Sequence, residues 1–347
     1  MELGITRRGL LLSFAVAPMA SRAPAQTRKP SIPVTGLSHM TLSVSDPKRS
    51  LEFYQGLFGM PIQARQGPTT ILRIGPGPQF VALSAAGTNG KPGINHWCVF
   101  TDHFNLDRAL GILAERGVAK SDSNGAMRAR VRMRGPENGG AKEGTPEMYV
   151  GDPDGLVVQI QDTSYCGGDG VLGNVCLVRP EPAPAKGLLA MEDLSHFTIF
   201  VTDARRSLDF YQSVFGMPIQ THQGATPLLA VGSRGSFLTV AGGGGGRAGA
   251  TPPAASINHA SFRMRGFDPD KVMKALESYG IKPREQGARG PAGPLVSYVT
   301  MRMADRGGSP DGTPELYFTD PDGILLQIQD MTYCGGSGKL GEVCAPG

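Results

Sequence analysis

Apolar and polar residues alternate with a period of two along several short stretches of this chain. In "LSHMTLSVS", which starts at Leu37, the residues Met40, Leu42 and Val44 fall on one side and His39, Thr41 and Ser43 on the other. That is the mark of a strand with one buried face. Similar patterns predict strands over 61–66, 70–74, 80–84, 95–101, 147–150 and 156–161. The period changes to that of a helix at Leu51, Tyr54, Leu57 and Phe58, which predicts a helix over 49–58, and a second is predicted over 106–116. The stretch from 117 to the strand at Glu147 is expected to be a loop. The resulting order is β-α-β-β-β, twice.

The whole pattern then occurs again. "LSHFTIFVTDARRSLDFYQSVFGMPIQTHQG" from Leu194 repeats "LSHMTLSVSDPKRSLEFYQGLFGMPIQARQG" from Leu37. Roughly two-thirds of these positions are identical, which marks an internal duplication. "INHWCVF" at Ile94 answers "INHASFR" at Ile257, and "GTPEMYVGDPDGLVVQIQDTSYCGG" from Gly144 answers "GTPELYFTDPDGILLQIQDMTYCGG" from Gly312. A unit of this length is a domain rather than a solenoid repeat. The expected domains are 37–176 and 191–347, joined by a Pro/Ala linker over 177–190. The Gly-rich run at 242–256 is expected to be a flexible insertion in the second copy.

Composition changes this picture little. The chain has 347 residues, 40% hydrophobic and 18% charged, which suits two ordinary globular cores. A net charge of +4 with no basic stripe gives nucleic acid no footing. The first 25 residues stand apart. Arg7 and Arg8 precede an apolar run from Leu10 to Met19 and a small-residue "APA" ending at Ala25, the order of an export signal resembling the twin-arginine type. The run is too short to span a bilayer comfortably. Residues 26–36 then lead into the first domain. The expected location is periplasmic or secreted, with no membrane association after cleavage.

Cysteine usage fits that compartment. Cys166 and Cys176 frame one Gly-rich loop, and Cys334 and Cys344 frame its counterpart. Two local disulfides are expected, with Cys98 left as a buried core thiol. Paired metal clips are a weaker alternative, since two thiols without a nearby His do not complete a zinc site.

The "DPDG" turns join antiparallel strands. With the first hairpin centred on Pro153, Glu147 opposes Gln159 and Tyr149 opposes Val157; with the second centred on Pro321, Glu315 opposes Gln327 and Tyr317 opposes Leu325. The polar faces of these strands are expected to line a cup.

A His in the first strand of each copy, a second in "INHW" and "INHA", and the closing Tyr-x-x-Asp-Pro-x-Gly hairpin together resemble the vicinal-oxygen-chelate superfamily. That group includes glyoxalase I, bleomycin-resistance proteins and type I extradiol dioxygenases. The resemblance covers nearly all of 37–162 and 194–330. It implies an α+β fold: a tandem duplication of domains, each two βαβββ modules forming a curved, cup-like mixed sheet with helices outside. It further implies a divalent metal held by His39, His96 and Gln159, and by His196, His259 and Gln327. Fe2+ is implied for a dioxygenase, with Mn2+, Zn2+ or Ni2+ as alternatives.

Gln159 and Gln327 stand where the family has Glu, and an amide brings no charge to a metal. Glu147 and Glu315, placed across the hairpin, are candidates to supply it as ligands or as partners of the Gln amide. The bland alternative is a hydrogen-bonded Glu–Gln pair in a metal-free cup. Tyr149 and Tyr317 match the site Tyr of the ring-cleaving enzymes, but the acid/base His expected upstream is missing from both copies, and the fourth strands lack the glyoxalase Glu.

Two functions stay open on this reading. One is a metal-dependent enzyme on a small oxygenated substrate, with Tyr149 or Tyr317 donating a hydrogen bond and Glu147 or Glu315 acting as base. The other is a metal-free protein that binds or sequesters a small molecule. No partner beyond that molecule is implied, and self-association into a homodimer is left open.

Overall fold

The structure, a computed structural model, describes Met1 and residues 31–88, 90–233, 235–242, 254–288 and 292–344. The expected export signal and most of the Gly-rich insertion lie outside the described residues.

In the first half the strands are β1 (Gly36–Val44), β2 (Ile62–Gln66), β3 (Thr69–Arg73), β4 (Phe80–Ala85), β5 (Gly93–Thr101), β6 (Ala119–Ser121), β7 (Arg128–Arg134), β8 (Thr145–Gly151) and β9 (Val157–Asp162). Helices α1 (Pro47–Phe58) and α2 (Leu106–Glu115) complete it. The second half repeats the series as β10 (Asp193–Val201), β11 (Ile219–Gln223), β12 (Thr226–Ala230), β13 (Phe237–Gly242), β14 (Ser256–Met264), β15 (Lys282–Pro283), β16 (Val296–Arg302), β17 (Thr313–Thr319) and β18 (Leu325–Asp330), with α3 (Ala204–Phe215) and α4 (Pro269–Ser278).

Each half is one mixed nine-stranded sheet, in the order β2-β3-β4-β1-β5-β9-β8-β7-β6 and its equivalent. The period-two reading of β1 holds. Met40, Leu42 and Val44 are fully buried in the core, and the opposite face carries His39. The helices begin where the sequence allows them to. Asp46 accepts hydrogen bonds from the backbone N–H of Lys48 and Arg49, Pro47 fits the first turn, and Gly59 ends α1 with φ at +66°.

The core runs through both halves. Trp97 on β5 packs against Phe197 and Tyr211 of the second half, and Phe58 on α1 packs against Phe262 and Phe318. The hairpin aspartates extend this contact. Tyr54 donates to Asp320 and Tyr211 donates to Asp152, each at 3.1 Å. Asp322 accepts from Ser45 and Arg49, and Asp154 accepts from Thr202 and Arg206.

Two expectations are corrected. The segment expected to be a loop before Glu147 contains β6 and β7, and β7 is a full partner of β8. The hairpin register also differs. Tyr149 opposes Gln159 and Gly151 opposes Val157, while Tyr317 opposes Gln327 and Thr319 opposes Leu325. The loop has three residues, Pro153-Asp154-Gly155, with Gly155 at φ +86°. Asp152 donates its backbone N–H to the Leu156 carbonyl at 2.9 Å and closes it. Such a loop is centred on Asp154 rather than Pro153. A shift of two residues changes the partners but keeps every side chain on its face.

Candidate functional site

In the first half, neighbouring strands bring His39 (β1), His96 (β5) and Gln159 (β9) together on the cup floor. Nε2 of His39 and Nε2 of His96 each lie 3.0 Å from Gln159 Oε1. His39 stacks on Phe80 with ring centroids 4.2 Å apart, and Tyr149 meets His96 edge-on at 5.2 Å. His39 Nδ1 lies 3.0 Å from Ser38 Oγ, and His96 Nδ1 lies 2.8 Å from Asn95 Oδ1. Burial holds both imidazoles neutral. It lowers His39 well below the ordinary range, helped by His96, and brings His96 down to about 4. The second half matches, with burial and His259 depressing His196 and burial bringing His259 to about 4.

The hydrogen-bond accounting on this floor is informative. With Asn95 Oδ1 accepting, the His96 proton sits on Nδ1, so its Nε2 presents a lone pair to the Gln159 oxygen. The Gln159 Nε2 meanwhile has no partner. Turning the amide over removes the clash of lone pairs, because its two N–H groups then meet the Nε2 atoms of two neutral imidazoles, and it leaves the amide oxygen as the unpartnered atom. In the second half Gln327 hydrogen-bonds His196, and there it is Gln327 Oε1 that has no partner. A carboxylate in this place would need a cation or protons between itself and the two lone pairs. An amide needs neither.

Glu147 is committed to partners other than the Gln amide, and Glu315 in part. Glu147 is fully buried and both its oxygens are occupied. Oε1 accepts from Arg134 Nε at 2.7 Å and from Tyr165 at 3.2 Å, and Oε2 accepts from Arg132 Nε at 2.7 Å and from Tyr149 at 3.0 Å. Four donors fill the carboxylate's capacity. Arg134 is itself buried and its other nitrogens reach the carbonyls of Gly139 and Gly168. Glu315 takes Arg302 at 2.8 Å and Tyr333 at 3.1 Å on Oε1, but only Tyr317, at 3.4 Å, on Oε2. Burial, with these carboxylates beside them, pushes Tyr149 and Tyr317 above the usual phenol range, and they stay protonated.

A resident divalent cation does not fit this set. In the first half its ligands would all be neutral, the nearest carboxylate is saturated, and Arg132 and Arg134 outweigh that carboxylate's charge; in the second half the ligands would again be neutral and Arg302 offsets Glu315. Among the described residues no three His, Cys, Asp or Glu side chains cluster as metal ligands would.

Arg130, Arg132, Arg134 and Tyr165, with Arg302 and Tyr333 in the second half, are site residues that the sequence pattern alone does not single out. A signal is present in "RARVRMR", where arginine occupies every second position. The cysteines pair as expected, Cys166 with Cys176 and Cys334 with Cys344, and Cys98 is free and buried.

The sequence profile of the Glyoxalase/Bleomycin resistance protein/Dioxygenase superfamily matches residues 36–160 and 193–328, one span per sheet. The chain belongs to this superfamily. No curated sequence matches it significantly. Among solved structures, a catechol 2,3-dioxygenase is similar with a TM-score of 0.53 at 18% identity, over 88% of this chain and 89% of that one. The 2,3-dioxygenase LapB from Pseudomonas sp. KL28 gives 0.57 at 13%, over 86% and 93%. The Mn(II)-bound glyoxalase from Novosphingobium aromaticivorans gives 0.56 at 15%, over 85% and 82%. At such identities the likeness carries the superfamily fold and not a reaction.

Proposed function

We propose that this superfamily member is a small-molecule-binding protein whose two cups, in the units 37–176 and 191–347, hold an oxygenated ligand without a resident metal. The observation that carries this reading is the floor itself. In the first half an amide sits between two neutral imidazoles and the adjacent carboxylate of Glu147 is saturated by two arginines and two tyrosines, and the second half carries the same His-His-Gln set. Tyr149 and Tyr317, protonated and edge-on to the second His of each pair, commit their O–H groups to Glu147 and Glu315 and leave the phenolic oxygens to accept from a ligand hydroxyl. A cavity of about 490 Å3 lies over the first floor, and one of about 790 Å3 reaches His259, Glu315 and Tyr317 in the second half, both within the range of small-ligand sites. The two disulfides support an oxidising compartment, in keeping with export and a periplasmic or secreted location.

Metal analysis tests the proposal. Protein purified from its native compartment, and the same protein reconstituted with Fe2+ or Mn2+ and dialysed, is expected to retain no stoichiometric metal. Gln159→Glu with Gln327→Glu is expected to gain metal, because it puts a carboxylate against the two lone pairs. Wild-type protein that holds one metal per cup through dialysis would overturn the proposal and restore the metal-dependent enzyme, dioxygenase-like or lyase/isomerase-like. The second reading keeps one support, the convergence of both His39 and His96 Nε2 on a single oxygen.

A further inference from the structure

The two cups share a floor but not a wall. Strand β7 turns Arg130, Arg132 and Arg134 to the cup face, and the equivalent positions of β16 are Tyr298, Thr300 and Arg302. All three first-half arginines line the first cavity, and among the described residues no Asp or Glu does. Arg134 is fully engaged by Glu147 and two backbone carbonyls. Arg132 commits Nε and Nη2 to Glu147 Oε2 and remains 43% exposed. Arg130 lies 5.9 Å over the Tyr149 ring and, among the described residues, forms no ion pair. The lining of the second cavity is different in kind. Among the described residues it carries Arg306 together with Glu315 and with Asp322, which is paired with Arg49, and Tyr298, itself beneath Arg284 at 4.7 Å, stacks on Tyr317 at 5.2 Å where the first half has Arg130 above Tyr149.

We infer that the first cup is built for a small organic carboxylate and the second is not. Arg130 and the free edge of Arg132 provide N–H donors and positive charge on one side of the cup, over a floor whose two imidazoles are uncharged. A carboxylate entering here meets charge-assisted donors without displacing an existing partner, since Glu147 is satisfied from beneath. In the second cup the same ligand would find Tyr298 and Thr300 in place of the two guanidinium groups and would face the Oε2 of Glu315, whose one partner is Tyr317. The inference rests on the proposed ligand-binding role of the cups and adds both ligand class and a division between the halves.

Calorimetric titration of the full exported chain with benzoate, and with benzamide as its uncharged near-isostere, tests it. The expected result is one benzoate per chain, benzamide weaker by about tenfold or more, and benzoate affinity that falls as salt rises. Arg130→Tyr with Arg132→Thr copies the second half, whose fold already accommodates those residues, and should abolish benzoate binding. Tyr298→Arg with Thr300→Arg should raise the stoichiometry towards two. Two benzoates per wild-type chain, equal affinity for benzamide, no benzoate binding, or binding that survives the double substitution would each overturn the inference. Metal content measured on the same sample keeps the two proposals separable, because stoichiometric metal sinks the metal-free reading while arginine-dependent benzoate binding would still stand.

Discussion

Glu147 illustrates how far a single residue is legible in the sequence. Its side of the sheet is, because the period-two pattern survives a shift of two residues. Its partners are not, because Arg132 and Arg134 come from a strand that reads as a loop. The consequence is a role in stability rather than as a ligand. Removing one member of a buried, hydrogen-bonded ion pair leaves the other charge uncompensated, at about 3–5 kcal/mol. Glu147→Gln is therefore expected to lower unfolding stability at neutral pH by about that much, since Arg134 cannot reach water. Glu315→Gln should cost less, because Glu315 offsets one arginine where Glu147 offsets two. Urea denaturation of the two variants checks this. Changes below about 1 kcal/mol in both would show that the arginine–carboxylate unit does not hold the cup together.

Among the elements, strand β7 is hidden by its own composition. Ala129, Val131 and Met133 alternate with arginines, so neither face reads as core, and the strand is recognisable only once β8 is beside it. The helices and the other long strands are readable because each buries a clean apolar face. The cysteine loops are readable from spacing, but what they support is not. The Gly168 carbonyl, inside the Cys166–Cys176 loop, accepts from Arg134, and the Gly170 carbonyl accepts from Thr145 on β8. The disulfide thus fixes the far end of the guanidinium that satisfies Glu147. On the loop-entropy model, Cys166→Ser with Cys176→Ser should cost about 3 kcal/mol. It should also speed amide hydrogen exchange in β7 and β8 more than in β16 and β17. Exchange that rises only inside the loop would mean that the disulfide secures the tail alone.

At the scale of the molecule, the duplication is legible but the way the halves grip each other is not. The same "DPDG" turns that close the cup hairpins reach the opposite helix, and this sets a pH dependence. Asp320 is buried at that contact, where it accepts from Tyr54 and from the backbone N–H groups of Asp322 and Ile324. Desolvation raises its carboxyl to about 6 in spite of those donors, and neighbouring Asp322, itself paired with Arg49, adds to the rise. A carboxyl raised above its unfolded value binds protons more readily when folded. Its contribution to stability is therefore greatest below about pH 4, falls as pH climbs towards 6, and is unfavourable above that. A rise from the ordinary aspartate value, about 4, to about 6 corresponds to about 3 kcal/mol. The buried imidazoles act in the opposite sense, since neutral histidines destabilise the fold as the pH drops below their unfolded value, so the total curve hides the Asp320 effect. A difference isolates it. Asp320→Asn keeps an acceptor for the two backbone N–H groups and removes the charge. Relative to wild type it should be clearly more favourable at pH 7 than at pH 4, with the change falling between those values. A difference that stays flat across that window, measured by denaturation at each pH, would show that Asp320 keeps an ordinary carboxyl at the contact between the halves.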